Sequence, residues 1–337
     1  MSREDTPLLT DEAAAPGAPP RVLPITGPVP APFLAPALMV LIFGIVMAVF
    51  EPSFFAWGNL RSVLLDAALY LVLGVGMTFV ITARGIDLSI GGIIVFSGVV
   101  MSAVILDLGM PAWVGMLACL AAGAACGLFN GLVIQKAKVP DLIVTLASEF
   151  VFRGLALIYA GGQIFYGFPE AIGWIGSGRA GPLPIPIIIG VLTILAGHAF
   201  LTWHRYGVRL HAVGGDPVSA NQMGIDVPRY RVGVYVIMGL LAGLGSIILA
   251  GRLDAVVASG QEAVMLHTIA AVIVGGTRLF GGRGTILGTL LGAVLLSMIG
   301  NAVVMLGFES FWQLVASGVV IIVTIALYAH RERSVLT

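Results

Sequence analysis

The chain has 337 residues, 58% of them hydrophobic and 10% charged, with 17 basic and 17 acidic side chains that cancel to zero net charge. A water-soluble fold of this size could not hide so much apolar surface, because part of any fold faces water. The balance excludes a soluble enzyme, a disordered protein, a secreted disulfide scaffold and a nucleic-acid binder, and leaves an all-α, polytopic membrane protein.

Residues 1–32 stand apart. They hold eight prolines and four acids, and read as a disordered tail. No basic segment directly precedes the apolar stretch from Phe33, so that stretch is expected to remain as a helix rather than act as a secretory signal. Apolar runs then follow near 33–50, 63–82, 88–106, 112–134, 141–160, 184–203, 232–251, 264–276, 285–306 and 311–328. Each approaches the ~20 residues that span a bilayer. The eighth is short, and the second and third are poorly separated. The expected architecture is about ten transmembrane helices, one or more of them broken or re-entrant, over a domain at 33–330 with a short tail at 331–337.

Basic residues orient the chain. With the N-terminus in the cytoplasm, Arg3, Arg21, Arg84, Lys136, Lys138, Arg205, Arg209, Arg229, Arg231, Arg278, Arg283, Arg331 and Arg333 fall inside. Only Arg61, Arg179 and Arg252 fall outside, and Arg153 lies within a run. The positive-inside rule therefore places both termini and the long 204–231 loop in the cytoplasm. Glycines recur at four-residue spacing at Gly123/Gly127/Gly131, Gly239/Gly243 and Gly284/Gly288/Gly292, which predicts close helix contacts, within one subunit in the first reading and at a subunit interface in the second. Cys119 and Cys126, seven apart on one helix, are about 10 Å apart along its axis and cannot bridge each other.

Catalytic chemistry is missing. Neither Lys136 nor Lys138 follows a glycine, so no P-loop exists. The GxGxxG at Gly176–Gly181 lies in a turn-rich outside loop. The five histidines lack metal-ligand spacing, and no GxSxG elbow occurs. No cofactor or metal is expected.

Four features carry chemistry. In the 204–231 loop, Gly214-Gly215-Asp216-Pro217-Val218-Ser219-Ala220-Asn221-Gln222-Met223-Gly224 reads as a short helix capped by Asp216, with Pro217 in its first position and Gly224 as its stop. About seven helical residues suit docking into a partner's cleft, with Val218, Ala220, Asn221 and Met223 as contact surface; an ordinary interfacial helix is the plainer reading. Second, Gly85–Gly92 places Asp87 and Ser89 between two apolar runs. Either the glycines permit an unwound, gating backbone at membrane depth, or this is a solvated loop. Third, Gly275–Thr285 aligns with it by matching Gly85 to Gly276, Leu88 to Leu279 and Gly91 to Gly282, a trace of an internal repeat. Fourth, Glu149 and Arg153 are spaced to pair on one helix face, as structure or as pathway lining. Gln163, His267 and Asn301 complete the polar candidates for a pathway.

RGIDLSIGG, FNGLVIQKAKVPDLIVTLAS, FRGLALIYAGGQ, HAVGGDPVSANQMGI, GLLAGLGSIILAGRL, IAAVIVGGTRLFGGRGTILGTLLGA and FWQLVASGVVI occur in order between Asn59 and Tyr328. Together they resemble the membrane permease subunit of bacterial ABC importers of the ribose/xylose/arabinose type. That resemblance implies a lipid-embedded pair of permease subunits, a homodimer in the simplest case. It also implies cytoplasmic ATPase subunits, a periplasmic sugar-binding protein, and a coupling-helix role for Gly214–Ile225. The chain departs from the family at Val264-Met265-Leu266-His267, where Tyr-Glu-Leu-Asp is usual, and at Glu149. The competing function is an ion-coupled secondary transporter with Asp87 or Glu149/Arg153 as proton relay.

Overall fold

The structure is a computed structural model that describes residues 33–258, 261–309, 311–320 and 322–323. The expected tails at 1–32 and 331–337 lie outside these. The helices are α1 (Leu34–Phe50), α2 (Trp57–Thr82), α3 (Ile90–Ser102), α4 (Ala112–Ala137), α5 (Asp141–Ala160), α6 (Glu170–Ser177), α7 (Ile185–Trp203), α8 (Arg205–Gly215), α9 (Pro217–Gln222), α10 (Val227–Leu253), α11 (Glu262–Val274) and α12 (Ile286–Met305). A further helix, α13, covers 312–320. A π-turn at Ala103–Asp107 lengthens α3.

Seven helices among the described residues are long and apolar enough to cross a membrane: α2, α3 with its π-turn, α4, α5, α7, α10 and α12. Leu34–Phe50 and Ala263–Val274 are shorter apolar helices. The chain is thus a polytopic helical membrane protein. The eighth apolar run is short because residues 257 and 258, after α10, are not helical, and α11 begins only at Glu262.

The packing has an inverted internal repeat. Helices α2, α3, α4 and α5 begin at 57, 90, 112 and 141; α10, α11, α12 and α13 begin at 227, 262, 286 and 312. The offset is about 170 residues at every step, as expected of a duplicated unit. In each unit a long helix is followed by a stretch that is not helical among the described residues and by a 13-residue half-helix. The units run in opposite directions. A side chain at Gly76 would meet Met238, and one at Gly245 would meet Leu69 and Leu73, so α2 and α10 are antiparallel. This corrects the alignment of Gly85 with Gly276: Gly276 joins α11 to α12, whereas the counterpart of the Gly85 segment is the stretch between α10 and α11. A few shared Gly and Leu residues matched two turns that are not equivalent.

The glycine rows close helix pairs within this chain, as expected. A Cβ at Gly127 would run into the Tyr235 carbonyl, one at Gly131 would stand 2.9 Å from Val232 Cα, and Gly292 packs on Ala271. Small residues here let backbones touch. Two short sheets tie loops at the far end of the bundle. Phe165–Tyr166 (β1) pairs antiparallel with Ala255–Val256 (β4), and Arg179–Ala180 (β2) with Leu183–Pro184 (β3) around Gly181. The GxGxxG stretch is therefore the end of α6 plus a hairpin; α6 itself was not anticipated.

Candidate translocation and coupling sites

The Gly85–Gly92 segment is a buried break, not a solvated loop. After α2 the chain turns through Arg84 in the left-handed region, φ 66°, and continues without helix or strand to Ser89. Asp87 and Ser89 have no solvent exposure. Asp87 Oδ1 accepts from the Ser89 amide at 2.8 Å and the Ser89 hydroxyl at 2.6 Å. Asn130 Nδ2 of α4 donates to Ser89 Oγ at 2.7 Å. Irregular backbone inside the bundle is tolerated because protein surrounds it. The glycines also meet a packing demand. Gly85, Gly91 and Gly92 have ordinary negative φ, and close approach is what requires them. A Cβ at Gly85 would lie 2.8 Å from Tyr235 Oη, and one at Gly92 would lie 2.7 Å from the Glu149 carbonyl.

Glu149 and Arg153 meet where the two half-helices converge. Glu149 is eight residues along α5, about 12 Å from its start. Its Oε2 accepts from the Gly92 amide in the first turn of α3, and its Oε1 pairs with Arg153. A Cβ at Gly91 would be 3.1 Å from both Glu149 Oε1 and the carbonyl of Gln261, the residue that precedes α11. The start of α3 and the start of α11 thus lie together mid-bundle, with a carboxylate and a guanidinium beside them. A helix N-terminus favours a carboxylate, and the ion pair offsets the cost of burying each charge.

The other candidates lie apart. His267 of α11 stacks on Tyr70 at 5.5 Å between centroids; its Nδ1 faces the Ala263 carbonyl at 2.6 Å and its Nε2 faces Ser317 Oγ at 2.9 Å. It is a packed, fully bonded side chain. Asn301 is half-buried on α12. Gln163 is exposed in the loop after α5, outside the bundle. The polar residues therefore form separate clusters rather than one lining. Asn130 was missed, although a lone amide in an apolar run carries the same signal as Glu149.

The 204–231 loop holds two helices rather than one. α8 was missed because its buried face, with Leu210 and Val213, is short and interspersed with Arg and His. α9 follows the cap chemistry: Asp216 Oδ1 accepts from the Val218 and Ser219 amides at 3.0 and 3.3 Å, Pro217 opens the helix, and Gly224 turns at φ 80°. Hydrogen bonds from Ser219 hold the Asp216 carboxyl below the usual carboxylate range. Val218 and Met223 are 67% and 69% exposed, and Asn221 is exposed. Ala220 is fully buried, which removes it from the expected contact surface: in a one-and-a-half-turn helix one position must face the bundle. Gly214 is pressed onto the Thr82 carbonyl, and its Cβ would lie 2.7 Å from the Gly282 amide. Gly282 itself donates to Thr82 O at 3.0 Å. His211 Nδ1 lies 3.1 Å from Gly282 O, and burial pushes its pKa down.

A polytopic bundle of inverted units, with a buried break and a short capped helix at one end, defines a membrane transport protein. The chain belongs to the family described as branched-chain amino acid transport system / permease component, which matches residues 59–325. It is 36% identical over 300 residues to the ribose import permease protein of Escherichia coli (strain K12), covering 88% of this chain and 92% of that one. It is 38% identical over 303 residues to the ribose import permease protein of Bacillus subtilis (strain 168), covering 89% and 93%. It is 34% identical over 285 residues to an inner membrane ABC transporter permease protein of E. coli (strain K12), covering 82% and 85%.

Proposed function

We propose that this chain is the membrane permease subunit of a bacterial ABC importer that passes a monosaccharide across the inner membrane, driven by ATP hydrolysed on a separate subunit. The relatives named for ribose import support a sugar as cargo. One observation carries the mechanical part. The capped helix α9 follows α8, whose end is wedged against the end of α2 at Gly214, next to the buried break.

In this reading α9 is the coupling helix and sits in an ATPase cleft, with Val218, Asn221 and Met223 as contact surface. A periplasmic binding protein delivers sugar at the opposite end, and a second copy of the chain completes the pathway. Ten crossings with both termini cytoplasmic agree with the arginine distribution and with the helices at 34–50, 262–274 and 312–320. Closure of the ATPases moves α9, and the Asp87 break passes that motion to the half-helices that meet at Glu149. Glu149 and Arg153 position those half-helices, while the binding protein supplies sugar selectivity.

The test is reconstitution with ATPase and binding protein in proteoliposomes. ATP-dependent uptake of radiolabelled ribose, the sugar in the relatives' names, is expected, and none without ATP. Uptake driven by an ion gradient, with neither ATP nor partners, would overturn the proposal and support a secondary transporter.

A further inference from the structure

The chain at and just beyond the end of α2 presents carbonyls outside the helix ladder. They are held by neighbouring elements. Thr82 O accepts from the Gly282 amide at 3.0 Å. Ala83 O and Arg84 O accept from one side chain, Arg231, through Nε at 3.4 Å and Nη2 at 2.9 Å. Ile86 O lies 3.2 Å from Tyr235 Oη and 3.3 Å from Thr145 Oγ1. Asp141, at the start of α5, completes the cluster. Its Oδ2 accepts from Tyr235 Oη at 3.0 Å and stands 3.8 Å from Arg231 Nη2.

Arg231 stands in the first turns of α10, which begins at Val227, only five residues after α9 ends at Gln222. The geometry points to Arg231 as a positioning residue that transmits motion of α9 to the α2–α3 break. Two arms reach that break from the two ends of α9. Gly214, just before the helix, bears on Thr82 O; Arg231, just after it, holds Ala83 O and Arg84 O. A guanidinium suits the task because its planar fork can hold two carbonyls and a carboxylate at once, which a lysine ammonium does less rigidly. Arg229, two residues earlier, provides the contrast. It is 86% exposed and pairs with Asp226 on its own helix. Of the two basic residues, only Arg231 grips the break.

This inference rests on α9 being the coupling helix, and the experiment separates the two. In the full importer in proteoliposomes, the quantity read is sugar imported per ATP hydrolysed. Arg231→Gln should assemble with the ATPase and keep hydrolysis within about twofold of the parent, while the ratio falls about tenfold, the scale of an ordinary coupling energy. Arg231→Lys should fall between, and Arg229→Gln should leave the ratio unchanged. If Arg231→Gln does not accumulate, Tyr235→Phe, which deletes one hydroxyl from the same cluster, is read instead and should lower the ratio about threefold. An unchanged ratio, or uptake and hydrolysis falling in parallel in an assembled complex, overturns the role of Arg231. Retention of ATPase binding and transport by Met223→Glu overturns the coupling-helix reading instead.

Discussion

The two breaks of the inverted repeat have the same layout and different fastenings. The first, between α2 and α3, is bound by polar groups. Its carbonyls are gripped by Arg231, Tyr235, Thr145 and the Gly282 amide, and its Asp87 is bonded within the segment. The second, between α10 and α11, leaves α10 through Asp254 at φ 51°. It then pairs Ala255–Val256 with Phe165–Tyr166 in a two-residue antiparallel ladder packed in apolar surroundings. One break is bolted to the helices that carry α8 and α9, the other to the loops at the far end. A duplicated unit has thus been given two kinds of handle. Both half-helices still start at one place, beside Glu149.

The largest effect is expected where the two units meet. Glu149→Leu removes one pairing of Arg153 and leaves the Gly92 amide without its acceptor, at a cost of about 3 kcal/mol. Thermal unfolding in detergent should show it, and Glu149→Gln, which keeps an acceptor for the Gly92 amide, should recover much of the loss. Gly92→Ala strikes the first break alone. Its Cβ would stand 2.7 Å from the Glu149 carbonyl and 3.2 Å from Glu149 Cα, so about 1–3 kcal/mol of overpacking is expected in the same assay. If Gly92→Ala is neutral, the half-helices meet less tightly than described.

His267→Leu asks whether the departure at 264–267 concerns cargo or packing. The stack on Tyr70 and the bonds to Ala263 and Ser317 favour packing. The expected result is a loss of about 1 kcal/mol in stability with the order of sugar preference kept in competition uptake. A changed order would return this residue to the pathway.

The smallest effect is local to α9. Asp216→Ala should speed amide exchange at Val218 and Ser219 without altering exchange in α3. Asp216→Asn should restore protection, since asparagine caps as well. Because the folded carboxyl sits below its usual range, the cap is fully present above that range and is lost as pH falls through the lowered value. Exchange at Ser219 should therefore accelerate with acid in the parent, beyond the intrinsic chemical trend, and not in Asp216→Asn.

Much of this was legible residue by residue. The first nine apolar runs fall mainly on helices, the described part of the tenth is helical over 312–320, and the caps of α9 lie where Asp216, Pro217 and Gly224 put them. The glycine rows found their helix partners. Hydropathy, cap chemistry and small-residue spacing act over a turn or a span, so a one-dimensional reading holds them. The same reading placed Ala220 on the outside of α9, where it is buried, and gave no sign of the close approach at Gly85, Gly91 and Gly92. The reason is shared: a residue's surroundings depended on what another element brought against it.

The sequence by itself determined that the chain lives in a membrane, where its helices run and which short segment is a capped helix, because those properties come from transfer free energy and local hydrogen bonding. Only the tertiary structure decided that two half-helices start beside one carboxylate, that Asn130 completes the Asp87 cluster and that Arg231 holds the end of α2. The bonds that do so join residues 57, 41 and 147 positions apart. Such pairs become neighbours only when the inverted units pack, and nothing in either local sequence marks its partner.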